Sequence, residues 1–128
     1  ARILMVGTRP QDDIARYCAA ADVIAVPSIR DDAGNVDGLP NFALEALASA
    51  TPVVASRAGG LPQAIDNGRT GHLVPERDAS ALARAIRSLF MNTNTARAIG
   101  AAARNDVIAR FGWDTVARKL DEIYSRVA

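Results

Sequence analysis

The sequence has few of the residues that build disulfides, metal sites or membrane spans. Its single cysteine, Cys18, excludes an internal disulfide and a cysteine-based structural metal site, and it fits a reducing compartment. No apolar run approaches the roughly 20 residues that a transmembrane helix needs, and no signal-peptide pattern opens the chain. We therefore expect a cytoplasmic protein.

The sequence also lacks a large excess of either positive or negative charge. Fifteen Lys and Arg residues stand against fourteen Asp and Glu residues, which gives a net charge of +1, and the basic residues are scattered. A domain that binds nucleic acid through its phosphates concentrates positive charge, so the sequence disfavours that class of function. Glutamate occurs only at positions 45, 76 and 122. A glutamate within an apolar segment is therefore an unusual feature here.

The remaining composition is that of an ordinary globular domain. Hydrophobic residues make up 49% and charged residues 23% of the 128 residues, which excludes a disordered chain and predicts one domain over residues 1–128. Short apolar runs predict buried strands at residues 3–6, 23–26, 52–55 and 72–74. Helical spacing predicts helices between them, including one at 41–50 that starts behind Pro40, and only helices after residue 74.

Short buried strands that alternate with helices predict the α/β fold class. The expected architecture is a Rossmann-like open parallel sheet with helices on both faces and a helical C-terminus. Four strands are few for such a sheet, and the first run begins almost at residue 1. We therefore expect the chain to be a fragment of a longer protein.

One carboxylate stands alone in an apolar segment. Between residues 39 and 55 the only charged residue is Glu45. On a helix, Asn41, Glu45 and Ser49 share a polar wedge about 80° wide. Since burying an unpaired carboxylate is costly, this wedge faces either solvent or a ligand, and both interpretations stay open.

The segment before this helix has the form of an anion-binding turn. The residues Asp37-Gly38-Leu39-Pro40 lead directly into the helix N-terminus, where backbone amides lack partners and the dipole is positive. In open α/β sheets, phosphates bind at such a terminus next to the carboxyl end of a strand. Asp37 has an alternative role as a turn or capping residue.

Several motifs stand in the order of a known family. They are PS at 27–28, DGLPN at 37–41, EALA at 45–48, TPVVA at 51–55, GGLP at 59–62, TGHLV at 70–74 and FGW at 111–113. Over nearly its whole length the chain resembles the donor-binding, C-terminal domain of the group 1 family of retaining GT-B glycosyltransferases. Asp37 and Glu45, with seven residues between them, occupy the places of that family's two acidic residues.

The resemblance implies roles for individual residues. Glu45 would bind the ribose hydroxyls of a nucleotide diphosphate-sugar, and Asp37 would be the catalytic residue, in contact with the transferred sugar. The donor-binding stretch between them would hold the sugar and the diphosphate, largely through backbone amides; it comprises Gly38, Leu39, Pro40, Asn41 and Phe42. Weaker candidates for the cleft are Gly7, Ser28, Gly59 and Gly60.

The resemblance also implies partners and limits. It implies a nucleotide-sugar donor, no metal and no cofactor, no nucleic acid, and an acceptor sugar, lipid or small molecule held by a domain that this chain lacks. The chain alone would be inactive, and the longer protein would act in polysaccharide, glycolipid or glycoconjugate synthesis, in the cytoplasm or peripherally at the inner membrane. A GT-B sugar-nucleotide epimerase and a non-catalytic nucleotide-sugar-binding module are the alternatives.

One residue and one missing motif depart from the family pattern. Ala50 replaces the glycine that commonly follows the second acidic helix, and the upstream basic pair that the family directs at the diphosphate has no counterpart. Trp113 opens the last predicted helix, and we expect it to pack on the helix before it.

Overall fold

The computed structural model describes residues 3–127 and has an α/β fold with a three-stranded parallel sheet. The strands lie side by side in chain order, as β1 (Ile24–Val26), β2 (Val53–Ser56) and β3 (His72–Val74). Ile24 pairs with Val53, and Val54 pairs with His72. The helices are α1 (Gln11–Ala20), α2 (Asn41–Ala48), α3 (Leu61–Ala64), α4 (Ala79–Met91), α5 (Thr93–Phe111) and α6 (Trp113–Val127).

The central strand β2 shows why the sheet is covered on both faces. All four of its residues are buried. Because successive side chains of a strand point to opposite faces, Val53 and Ala55 pack with residues of α1, α2 and α5 on one side. On the other side, Val54 packs with Leu89 of α4 and with residues of α5. The predicted Rossmann-like arrangement with helices on both faces is confirmed.

The prediction of a buried strand at residues 3–6 is wrong. These residues belong to no strand, and the side chains of Ile3, Leu4 and Met5 are 84%, 72% and 89% exposed. An apolar run becomes a buried strand only where a neighbouring strand pairs with it and helices cover it. In residues 3–127, no strand pairs with the outer edge of β1. Three of the four predicted strands are therefore present.

The helix α2 begins where the sequence predicts and ends two residues earlier. Pro40 stands at its N-cap position, with φ −61°, and Ser49 follows its last residue. Ala50 then turns the chain with φ +61°, a left-handed conformation that costs a non-glycine residue about 1–2 kcal/mol. A Cβ on Gly100 of α5 would collide with the Ala50 carbonyl oxygen. The turn is thus held by close contact between α5 and the end of α2.

The last helix lies against α5 without burying any residue. The side chain of Trp113 is 86% exposed, so the expectation that it packs on the preceding helix is wrong. Apolar side chains at Leu120, Ile123 and Tyr124 are also exposed. Across the described residues, no helix is both long and apolar enough to span a membrane.

Candidate functional site

The three parallel strands end at one edge of the sheet, and the loops that follow them meet there. These loops are residues 27–40 after β1, 57–60 after β2 and 75–78 after β3. In open α/β sheets this carboxyl edge is where ligands bind. The predicted site residues Ser28, Asp37, Gly59 and Gly60 all lie in these loops.

The loop after β1 is fastened to the turn after β3. The Glu76 carboxylate accepts a hydrogen bond of 2.7 Å from the Arg30 backbone amide. The Arg77 guanidinium donates to the Arg30 carbonyl oxygen at 2.9 Å and pairs with Asp32 at 3.1 Å. Because these contacts join two loops 45 or more residues apart in sequence, they hold the segment that leads to Asp37 at the carboxyl edge.

Internal hydrogen bonds also order this loop. The Asp31 carboxylate accepts hydrogen bonds from the Asn35 side chain at 2.9 Å and from the Asn35 backbone amide at 2.8 Å. These hydrogen bonds stabilise the charged form and lower the pKa of Asp31 below its usual value. Asp31 therefore stabilises the conformation of the loop that leads to Asp37.

The turn at Asp37 and Gly38 packs directly on the two glycines after β2. The Gly60 amide donates a hydrogen bond to the Gly38 carbonyl oxygen. A Cβ on Gly59 would collide with the Asp37 carbonyl oxygen, and Gly59 also has φ +51°. A Cβ on Gly60 would lie 2.6 Å from the Gly38 carbonyl oxygen. Both positions therefore require glycine, and the structure brings four predicted site residues together here.

Asp37 is exposed, and it does not cap the helix that follows. In residues 3–127 its carboxylate accepts no hydrogen bond from the protein, and α2 has no side-chain cap at all. The side chain of Leu39 instead packs on the core beneath the turn. Asn41 and Phe42 are both exposed at the start of α2. The first backbone amides of a helix have no partner within the helix, so the amides at 41 and 42 are available to an anion.

Glu45 lies one turn further along α2 and is half-buried between two cavities. A cavity of about 450 Å³ is lined by Glu45 and Asn41 together with Phe111 and Trp113. A cavity of about 410 Å³ on the other side is lined by Glu45, Ser49 and Arg104. The polar wedge predicted from the sequence therefore faces concave surface on both sides.

The side-chain hydrogen bond that Glu45 accepts comes from α1. The Gln11 side-chain amide donates a hydrogen bond of 3.2 Å to Glu45 Oε1. Cys18 of the same helix is buried, and burial, followed by the nearby negative charge of Glu45, raises the pKa of its thiol. Sequence reasoning missed Gln11, because a single glutamine 34 residues away from its partner gives no local signal.

Two weaker candidates stand apart from this cluster. The Ser28 carbonyl oxygen accepts a hydrogen bond from the Ser56 hydroxyl, which joins the loop after β1 to the end of β2. Gly7 is exposed with φ +65°, and a Cβ there would meet nothing within 4 Å. In addition, none of five cavities compared in the described part of the chain is lined by both Asp37 and Glu45.

Comparison with known protein families identifies the chain. Residues 1–92 match the model of the family described as glycosyl transferases group 1. The chain belongs to this family. The match includes all of the predicted site residues, from Gly7 to Gly60. The resemblance noted in the sequence is thereby confirmed.

Individual relatives agree with this assignment. The D-inositol 3-phosphate glycosyltransferase of Corynebacterium kroppenstedtii is 42% identical over 122 residues, which are 95% of this chain and 26% of that protein. Sucrose-phosphate synthase from Thermosynechococcus elongatus is 36% identical and superimposes with a TM-score of 0.82 over 95% of this chain and 29% of its own. Alr3699/HepE from Anabaena, solved with UDP and glucose, is 25% identical with a TM-score of 0.79 over 94% of this chain and 31% of its own.

These comparisons assign the chain to the GT-B glycosyltransferases, of which it corresponds to the C-terminal part. It spans between a quarter and a third of the length of these three relatives. Among residues 3–127, no group of three or more His, Cys, Asp or Glu side chains is arranged to hold a metal ion.

Proposed function

We propose that the chain is the nucleotide-sugar-binding part of a retaining glycosyltransferase that transfers a sugar from a nucleotide diphosphate-sugar to an acceptor. Residues 1–128 would form part of one donor-binding domain, and the acceptor would be held by a separate domain. The supporting facts are the membership of the family, the exposed Asp37 at the carboxyl edge and the half-buried Glu45 in a concave surface.

The observation that carries the proposal is the environment of Glu45. An ionised carboxylate has room for about four hydrogen bonds, and residues 3–127 supply one to the Glu45 side chain, from the neutral amide of Gln11. The remaining acceptor positions can take the two adjacent hydroxyls of a ribose, in charge-assisted hydrogen bonds. Because Glu45 lines a cavity on each side, a ligand has room to approach it.

The start of α2 would hold the leaving group. Negative charge develops on the nucleotide diphosphate as the bond to the sugar breaks, and free amides at a helix N-terminus stabilise such charge. Asn41 and Phe42, whose backbone amides would bind the diphosphate, are exposed at the start of α2. Asp37 would lie next to the sugar, where its carboxylate stabilises the positive charge that develops at the reacting carbon. No metal ion or organic cofactor enters this scheme, and the compartment we propose is the cytoplasm.

Calorimetric titration of the 128-residue chain with UDP and with GDP tests the proposal. We expect Glu45→Gln to weaken nucleotide binding by about 1–3 kcal/mol, because charge-assisted hydrogen bonds become neutral ones. The matched control is Glu122→Gln on the exposed face of α6, which should leave the affinity unchanged. If Glu45→Gln binds as tightly as the unaltered chain, Glu45 is a surface carboxylate and the proposal fails.

A further inference from the structure

The Glu45 carboxylate accepts its hydrogen bond from a neutral side chain of α1 and not from a cation. The Gln11 amide donates to Glu45 Oε1 at 3.2 Å, and within residues 3–127 Glu45 has no salt-bridge partner. A neutral donor restricts the rotation of a carboxylate and leaves its negative charge in place. A lysine or arginine at this position would compete with a ligand for the same oxygen atoms.

The position of Gln11 in the fold fits this role. Gln11 lines both of the cavities that flank Glu45, and it is the first residue of α1. Arg104, a cation that lines the second cavity, donates to the carbonyl oxygen of Ala48. Within residues 3–127 no protein group donates to Glu45 Oε2, so this oxygen stays available to a ligand beside the hydrogen bond from Gln11.

We infer that Gln11 is a positioning residue, which holds the Glu45 carboxylate in the orientation that accepts the hydroxyls of the nucleotide ribose. This inference rests on the proposed function of Glu45. A side chain that is oriented before the ligand arrives loses less conformational freedom on binding, so the ligand binds more tightly. Gln11 acts through Glu45 and does not itself contact the reacting atoms.

A double-mutant cycle on the 128-residue chain, titrated with UDP and with GDP, tests this role. Gln11→Met keeps the length of the side chain and removes its donor, and we expect it to raise the Kd about 3- to 10-fold. In a Glu45→Ala background, which removes the acceptor of the Gln11 hydrogen bond, the same substitution should change the Kd less than about 2-fold. Gln63→Met is the matched control; Gln63 is the other glutamine of the chain and lies in α3.

The outcomes distinguish a failure of the inference about Gln11 from a failure of the proposed function. If Glu45→Gln raises the Kd and neither Gln11→Met nor Gln11→Ala does, the inference about Gln11 is overturned and the proposed function stands. If the effects of Gln11→Met and Glu45→Ala are additive, Gln11 acts independently of Glu45 and the inference is again overturned. If Glu45→Gln has no effect, or neither nucleotide binds the unaltered chain, the proposed function is overturned together with the inference.

A kinetic measurement distinguishes positioning from a general loss of structure. In a full-length enzyme that contains this chain, Gln11→Met should raise KM for the nucleotide-sugar about 3- to 10-fold with little change in kcat, because ribose binding contributes equally before and during the transfer. A fall in kcat without a rise in KM would contradict the inference. Unfolding by urea should give the same midpoint for Gln11→Met and the unaltered chain, since Gln11 is exposed.

Discussion

The backbone amide of Gly60 donates a hydrogen bond to the carbonyl oxygen of Gly38 and so joins the loops that leave β1 and β2. The bond holds the Asp37–Gly38 turn against the Gly59–Gly60 turn, with no room for a Cβ between them. The first predicted acidic residue is therefore placed by backbone packing. Its carboxylate stays free of protein partners in the described part of the chain.

We expect Gly59→Ala to destabilise the chain more than Gly34→Ala. Both glycines have positive φ, +51° and +87°, so both substitutions incur a backbone cost of about 1–2 kcal/mol. At Gly59 the new methyl group also collides with the Asp37 carbonyl oxygen, whereas at Gly34 it meets nothing within 4 Å. The free energies of unfolding in urea should therefore differ by about 1 kcal/mol or more. Equal losses of stability would mean that the Asp37–Gly38 turn moves away from Gly59 at little cost in free energy.

Asp37 and Glu45 should respond differently to two ligands. Asp37→Asn should weaken binding of UDP-glucose and leave binding of UDP nearly unchanged, because only the first ligand carries the sugar. Glu45→Gln should weaken both by about 1–3 kcal/mol, since both ligands carry the ribose. Calorimetry on the two variants with the two ligands decides this. Equal effects of Asp37→Asn on both ligands would contradict its assignment to the sugar.

In a full-length enzyme, Asp37→Asn should lower kcat more than it raises KM for the donor. The reason is that positive charge develops on the sugar in the transition state and is stabilised there by the carboxylate. A turn residue would show a different pattern, with a stability loss of about 1 kcal/mol or less and no effect that depends on the ligand. Steady-state kinetics combined with urea unfolding separates the two roles.

The ion pairs at Asp106 give a prediction about pH. Arg110 and Arg69 donate to Asp106 at 2.8 Å and 3.1 Å, and these hydrogen bonds lower the pKa of Asp106 in the folded chain. Because the pKa of Asp106 is lower in the folded chain than its unfolded-state value of about 3.9, Asp106 stabilises the fold at pH values above about 3.9. This stabilisation is lost as the pH falls through the pKa of the folded state. At pH 7, Asp106→Asn should lower the free energy of unfolding by about 0.5–1 kcal/mol, since the arginines are partly exposed.

The matched control for this prediction is Asp121→Asn on the exposed surface of α6. It should change the free energy of unfolding by less than about 0.5 kcal/mol at any pH. The difference between Asp106→Asn and the unaltered chain should shrink as the pH is lowered below about 4. A difference that stays constant with pH would show that packing, and not the ion pairs, accounts for the loss.

The 128-residue chain should transfer no sugar by itself. Transfer requires the acceptor to be held within near-attack distance of the sugar carbon, and this chain spans only 26% of the glycosyltransferase from Corynebacterium kroppenstedtii and 29% of the sucrose-phosphate synthase. Incubation with radiolabelled UDP-glucose and a panel of sugar and lipid acceptors should yield no labelled product. Sustained turnover by the purified chain would refute this expectation.

The sequence by itself determined the local elements and the family. Continuous apolar runs predicted β1, β2 and β3, because a strand buried on both faces has no polar side to alternate with. Helical spacing predicted α2 and placed Glu45 on a narrow polar wedge of that helix. The order of the motifs along the chain indicated the family. Each of these signals is carried by residues that lie close together in the sequence.

Only the tertiary structure decided which distant residues meet. Residues 3–6 have the same apolar pattern as β1, yet they remain outside any strand, because pairing depends on a neighbouring strand and not on the run itself. The contact of Gln11 with Glu45 spans 34 residues and that of Arg77 with Asp32 spans 45. Side-chain periodicity specifies which face of a helix or strand is buried. Which distant residues then become hydrogen-bond partners depends on the order of the strands in the sheet and on how the loops pack at the carboxyl ends of the strands.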